Sequence, residues 1–117
     1  MDNKEFGKNL ELRTKKFAIS IIALSGSLPD TTEGKVIRYQ ITKSGSSIGA
    51  NYREANRSRS KADFLNKIKI SESEASETLF WLEIIKELKW SKNIDLIMKE
   101  SNELVAIFTS ISSKLKK

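Results

Sequence analysis

Four stretches of this chain carry apolar residues on one face at helical spacing, joined by short connections, and that pattern leaves helix-on-helix packing as the only way to bury them. Leu10, Phe17, Ile21, Leu24 and Leu28 form the first stripe, so the periodicity predicts a helix over about residues 9–28 that Pro29 stops. Asp30-Thr31-Thr32-Glu33 supplies capping oxygens and a first-turn acid for a second helix, 33–56, with Ile37, Ile41, Ile48, Tyr52 and Ala55 inward. Ser60 can cap a third, 60–89, through Phe64, Ile68, Ala75, Leu79 and Leu82. A fourth, 93–116, carries Ile97, Leu104, Phe108, Ile111 and Leu115, and Lys114, Lys116 and Lys117 suit the negative end of its dipole. Short connections make sequential helices antiparallel, so the expected fold is all-α: an antiparallel up-down four-helix bundle forming one domain over residues 1–117.

Two features depart from a plain bundle. Gly45 and Gly49 lie inside the second helix, where each costs about 1 kcal/mol relative to alanine. Close approach to a neighbouring helix would compensate, and a kink or local loop is the alternative. The third helix is apolar on two sides: opposite the Ala75 stripe lie Ile70, Trp81, Ile84 and Leu88, flanked by Phe80 and accompanied by Glu77. A bundle gives each helix one inward side, so the second stripe predicts a homo-oligomer with Trp81 as its anchor. The alternative is that Trp81 and Leu88 curl over the bundle edge as ordinary exposed apolar residues.

Composition narrows the chemistry. The 117 residues include no cysteine and no histidine, which removes disulfides, thiol nucleophiles, the commonest zinc ligands and the usual general base. Glu74 and Glu77 share a helix face, but bundle metal sites built on such glutamates add a histidine, so no metal and no cofactor are expected. Ser47 and Lys43 stand four residues apart, yet Lys43 falls on the outward side, so no serine–lysine nucleophile and no catalytic residue is expected. Residues 15–27 imitate a secretion signal with too short an apolar run, and no window supplies the roughly 20 apolar residues of a membrane span. A soluble, cytoplasmic protein is expected.

The formal net charge is +6, and residues 1–61 hold all the excess: 12 Lys/Arg against 6 Asp/Glu, compared with 9 against 9 in residues 62–117. Lys35, Lys43, Arg53 and Arg57 project about 140–180° from Ile48 on a helical wheel, and Arg59 and Lys61 continue the line. This ridge suits phosphate backbones, multiplied if the chain oligomerises. Few aromatic residues lie on it, so base-specific recognition is not expected. An ordinary solvated helix face is the competing reading.

Read together, Gln40, Ser44-x-x-Ser47-Ile48-Gly49-Ala50-Asn51-Tyr52-x-Glu54-Ala55, Ser60-Lys61-Ala62-Asp63-Phe64 and Glu74-Ala75-x-Glu77-Thr78-x-x-Trp81-Leu82-Glu83 resemble the bacterial four-helix bundle family of the 23S rRNA intervening-sequence protein. That family is similar to the accessory variability protein of diversity-generating retroelements. Two positions depart from it: many relatives carry glycine where Ala55 stands, and a small residue where Arg53 stands. The resemblance implies a homo-oligomer, a pentamer in the retroelement relatives, that binds RNA or DNA and a reverse transcriptase without catalysis. The expected function is therefore a non-enzymatic scaffold that holds nucleic acid on its basic surface. The alternative is a protein–protein interaction module with no nucleic-acid role. Glu77 is expected to find a partner, an arginine or Asn51 and Gln40, since burial unpaired would be costly.

Overall fold

The computed structural model describes residues 3–115, and Lys116 and Lys117, expected to close the last helix, lie outside them. The described residues contain four helices and no strand: α1 (Asn3–Gly26), α2 (Thr32–Ala55), α3 (Lys61–Glu87) and α4 (Asp95–Leu115). Their caps follow from the local sequence. Thr31 Oγ1 accepts from the Gly34 amide at 3.0 Å, and Ser60 Oγ accepts from the Asp63 amide at 3.0 Å, each satisfying one of the free donors of a helix start.

The helix ends differ from the periodicity in instructive ways. α1 starts at Asn3 rather than near residue 9, because Gly7 seats its first turns beside Tyr52 and Asn56, a contact no local pattern records. It ends at Gly26, and the chain then turns through Ser27 N–H to Leu24 and Leu28 N–H to Ser25, so Leu28 is buried from outside the helix. α3 stops at Glu87, two residues early, because Lys89 adopts a left-handed φ of 60°. There the Trp90 amide reaches the Ile85 carbonyl at 3.1 Å and the Lys89 amide that of Lys86 at 3.0 Å, the double closure usually built on glycine.

The core gathers all four predicted stripes, except that Leu79 of the third is half-buried and stays outside the core. Phe17, Ile21, Ile41, Ile48, Ile68, Leu82, Leu104 and Phe108 are buried, with Tyr52 edge-to-face on Phe108 at 5.5 Å. Ile37, Phe64, Ile97, Ile111 and Leu115 pack against this core half-buried, and Ile85, absent from the predicted stripe, is fully buried. α2 sits between α1 and α3, α3 between α2 and α4, and α1 meets α4 sparsely.

α2 runs unbroken through both internal glycines, so close approach, rather than a kink, is what they permit. A Cβ on Gly45 would fall 2.7 Å from Ile21 Cγ2, and one on Gly49 would fall 2.8 Å from Thr14 Oγ1 and 3.3 Å from the Thr14 backbone. On the other side Ser44 meets Thr78 (Oγ to Oγ1, 2.9 Å), and the Ser71 hydroxyl donates to the Ile48 carbonyl at 2.9 Å. Rising positions on α2 thus pair with falling positions on α3. Small hydroxyl residues let the two backbones close up while keeping their own polar atoms bonded.

Candidate nucleic-acid interface

The six predicted cations are all exposed, but they divide into two groups. On the body of α2, Lys35 lies 3.7 Å from Asp30 and Arg53 lies 3.5 Å from Glu11, so each is partly neutralised by a nearby carboxylate. Lys43 faces Glu74 across the α2–α3 seam. Burial, and after it the neighbouring Glu77, push the Glu74 carboxyl above the usual range, while Lys43 and the nearby Ser47 pull it back. At the C-terminal end of α2 the picture changes. Arg57, Arg59 and Lys61 occupy the turn into α3, and none of them makes an ion pair among the described residues. Arg57 and Arg59 line an open groove of about 490 Å³ with Glu54, Ser58, Asp63, Asn66 and Lys67, in which Lys67 Nζ is held at 3.4 Å by Glu54. Of the six predicted cations, then, it is the three at this turn that stand clear of carboxylates, and the exposed guanidinium forks of Arg57 and Arg59 are open to phosphate oxygens.

The second stripe of α3 is also divided. Ile70, Phe80 and Leu88 are exposed, whereas Trp81 and Ile84 are half-buried and Trp81 packs against the core of its own chain. Phe80 and Trp81 stand edge-to-face at 5.1 Å, and Trp81 Nε1 donates to Glu77 Oε2 at 3.1 Å. Glu77 thus finds its partner on its own helix. Asn51, proposed for it from the sequence, instead donates to the Ser47 carbonyl at 2.8 Å. The Ser47 hydroxyl donates to the Lys43 carbonyl at 2.6 Å, so it is engaged with backbone.

Other exposed apolar residues escaped the sequence reading: Leu12, Ile19 and Ile22 on α1, Val36 and Tyr39 on α2, and Leu96 on α4. The wheel that singled out α3 finds the α1 set equally well, since residues 12, 19 and 22 fall within one helix face. No group of three or more potential metal-ligating side chains occurs among the described residues. No helix among them is long and apolar enough to cross a membrane.

Four helices around one apolar core, with three exposed and unpaired cations at the α2–α3 turn, define a small all-helical bundle protein. The chain belongs to the 23S rRNA-intervening sequence protein family, whose model matches residues 10–115. It is similar to a crystal structure of a protein of unknown function from the S23 ribosomal protein family of Bacteroides thetaiotaomicron VPI-5482, with a TM-score of 0.80 and 36% identity over 87% of this chain and 96% of that one. None of the curated proteins compared matches the chain.

Proposed function

We propose that the chain is a non-enzymatic scaffold of the bacterial cytoplasm: an antiparallel up-down four-helix bundle that assembles into a homo-oligomer and holds RNA or DNA on its basic outer surface. The observation that carries this reading is the exposed trio Arg57, Arg59 and Lys61, which has no carboxylate partner among the described residues. Arg53, Lys35 and Lys43 extend the surface along α2. The name of the family, tied to an insertion in 23S rRNA, supports a structured RNA as ligand, and the reversed pairing of α2 with α3 supports the antiparallel arrangement. The resemblance to retroelement accessory proteins supports a pentamer and a reverse transcriptase as the enzyme it serves.

Binding of this kind is backbone-directed and falls steeply with salt. Replacing Arg57 and Arg59 with glutamate is expected to weaken binding of a structured RNA by about 10-fold or more at low salt and to flatten the salt dependence by about 2 in log–log slope, with helicity unchanged. Unaltered affinity would refute the assignment.

A second reading, a protein-interaction module indifferent to nucleic acid, is favoured by the exposed Ile70, Phe80 and Leu88. It predicts assembly without any salt-dependent RNA binding.

A further inference from the structure

The outer faces of α1 and α3 are both apolar at their centres and opposite in charge. On α1, Leu12, Ile19 and Ile22 are 52%, 59% and 51% exposed, and Lys8, Lys15 and Lys16 rise among them, all exposed. On α3, Ile70, Phe80 and Leu88 are 42%, 53% and 48% exposed, and the charges beside them are predominantly acidic, Glu72, Glu74, Glu77 and Glu87 with Lys69 among them. Three large aliphatic side chains left about half in water along one α1 face are a substantial apolar surface for a chain of this size.

Next to the α1 face runs a groove of about 340 Å³, lined by Lys15, Ala18, Ser46, Gly49, Ala50 and Arg53 among others. Its open floor follows from the close approach of α1 and α2 at Gly49, with little side chain to fill the space outside. Lys15, Arg53 and Glu11 stand on its walls, Arg53 paired with Glu11 at 3.5 Å so that, among the described residues lining it, Lys15 is the free charge, and its centre is apolar or small. On α3 the protruding counterpart is Phe80 stacked edge-on to Trp81, with Glu77 held beside them. An aromatic knob next to a carboxylate is what a groove of small residues with a free lysine on its rim accepts.

We propose that the basic, apolar face of α1 receives the acidic, apolar face of α3 from a second copy of the chain, with Phe80 entering the groove beside Ile19 and Glu77 meeting Lys15. The contact rests on the oligomeric reading above and says which surfaces make it. Unlike faces pair because like faces repel: α3 against α3 sets Glu74 and Glu77 against their own copies, and α1 against α1 does the same to Lys8, Lys15 and Lys16. The resulting contact is head-to-tail, so each copy offers one face of each kind and assembly continues until the rotation closes a ring.

A head-to-tail contact has a distinctive signature in mixtures. Ile19→Asp destroys the α1 face and leaves α3 intact, while Phe80→Asp does the reverse. Both residues are exposed, so both variants are expected to stay helical by circular dichroism. Sedimentation of the full chain is expected to show an oligomer for the wild type, monomers for each variant, with self-association weakened by about 30-fold or more, and a 1:1 dimer when the two variants are mixed. Lys15→Glu and Glu77→Lys are each expected to weaken assembly, and the doubly reversed chain to regain it. An oligomeric wild type with Ile19→Asp assembling unchanged would overturn the α1–α3 contact alone. A monomeric wild type would overturn the oligomeric reading itself.

Discussion

α2 and α4 are held in the same molecule by different means. α2 is clasped from both sides at short range, by Gly45 and Gly49 against Ile21 and Thr14, and by Ser44 and the Ile48 carbonyl against Thr78 and Ser71. Every buried hydroxyl in those two seams has a partner: Thr14 donates to α1 carbonyls, and Thr78 lies 2.8 Å from the Glu74 carbonyl. α4 also buries hydroxyls, Ser101 and Ser112, but their oxygens find no hydrogen-bond partner among the described residues. Its link to α1 is a half-exposed ion cluster, in which Arg13 meets Glu100 through two bonds of 2.7 Å and Glu103 at 3.1 Å. Small residues allow backbones to approach and be fixed by shape, whereas long charged side chains span a wider seam and are screened by water and salt.

The contrast can be broken at several points. The largest effect is expected in the α1–α2 seam where backbone, and not only side chain, faces the glycine: Gly49→Leu must displace Thr14, and it should destabilise the fold by about 3 kcal/mol or more in urea unfolding. An equally stable variant would show that α1 and α2 can separate freely. Removing one buried hydroxyl from each region should give opposite signs. Thr78→Val is expected to cost about 1 kcal/mol, because it removes the partner of Ser44, while Ser101→Ala is expected to stabilise by about 0.5–1 kcal/mol, because its hydroxyl is buried for no bond. Equal shifts of the same sign would erase the distinction between α2 and α4.

Smaller still is the Arg13 cluster. Its bond to Glu100 holds the guanidinium charged even more firmly than usual, yet all three side chains are partly exposed, so Arg13→Ala should cost less than about 1 kcal/mol and should cost less as salt rises. A salt-independent loss would point to packing of the Arg13 stem instead. The smallest effect belongs to Tyr52, whose phenol burial pushes above its ordinary pKa of 10.0. The folded chain keeps that proton where the unfolded chain has lost it, so this group makes stability fall as pH rises beyond about 10. Tyr52→Phe should remove that part of the alkaline decline, and an unchanged pH profile would mean that the phenol ionises alike in both states.

The sequence shows where a helix must be buried far better than it shows what crosses between helices. The stripes through Ile21, Ile48, Ala75 and Phe108 are legible because burial of one face imposes a single period. Thr31 and Ser60 are legible as caps because capping is local. Ile85 was missed because it stands at the edge of its stripe, and the early start of α1 because Gly7 answers to Tyr52, far away in the chain. The ion cluster joins Arg13 to residues 87 and 90 positions distant and leaves no mark in local patterning. The exposure of Lys35, Lys43, Arg53 and Arg57 followed from the wheel, and that of Arg59 and Lys61 from continuing its line, but which of them lack a carboxylate neighbour depended on Asp30 and Glu11, whose positions only the fold supplies.

The central claim is that this bundle works as an assembled, charged scaffold, and light scattering of the purified chain with a structured RNA, at about 50 and about 200 mM salt, tests it most directly. The account predicts a homo-oligomer that takes up RNA at the lower salt and releases most of it at the higher. An oligomer that ignores RNA at both, or a monomer, would contradict it.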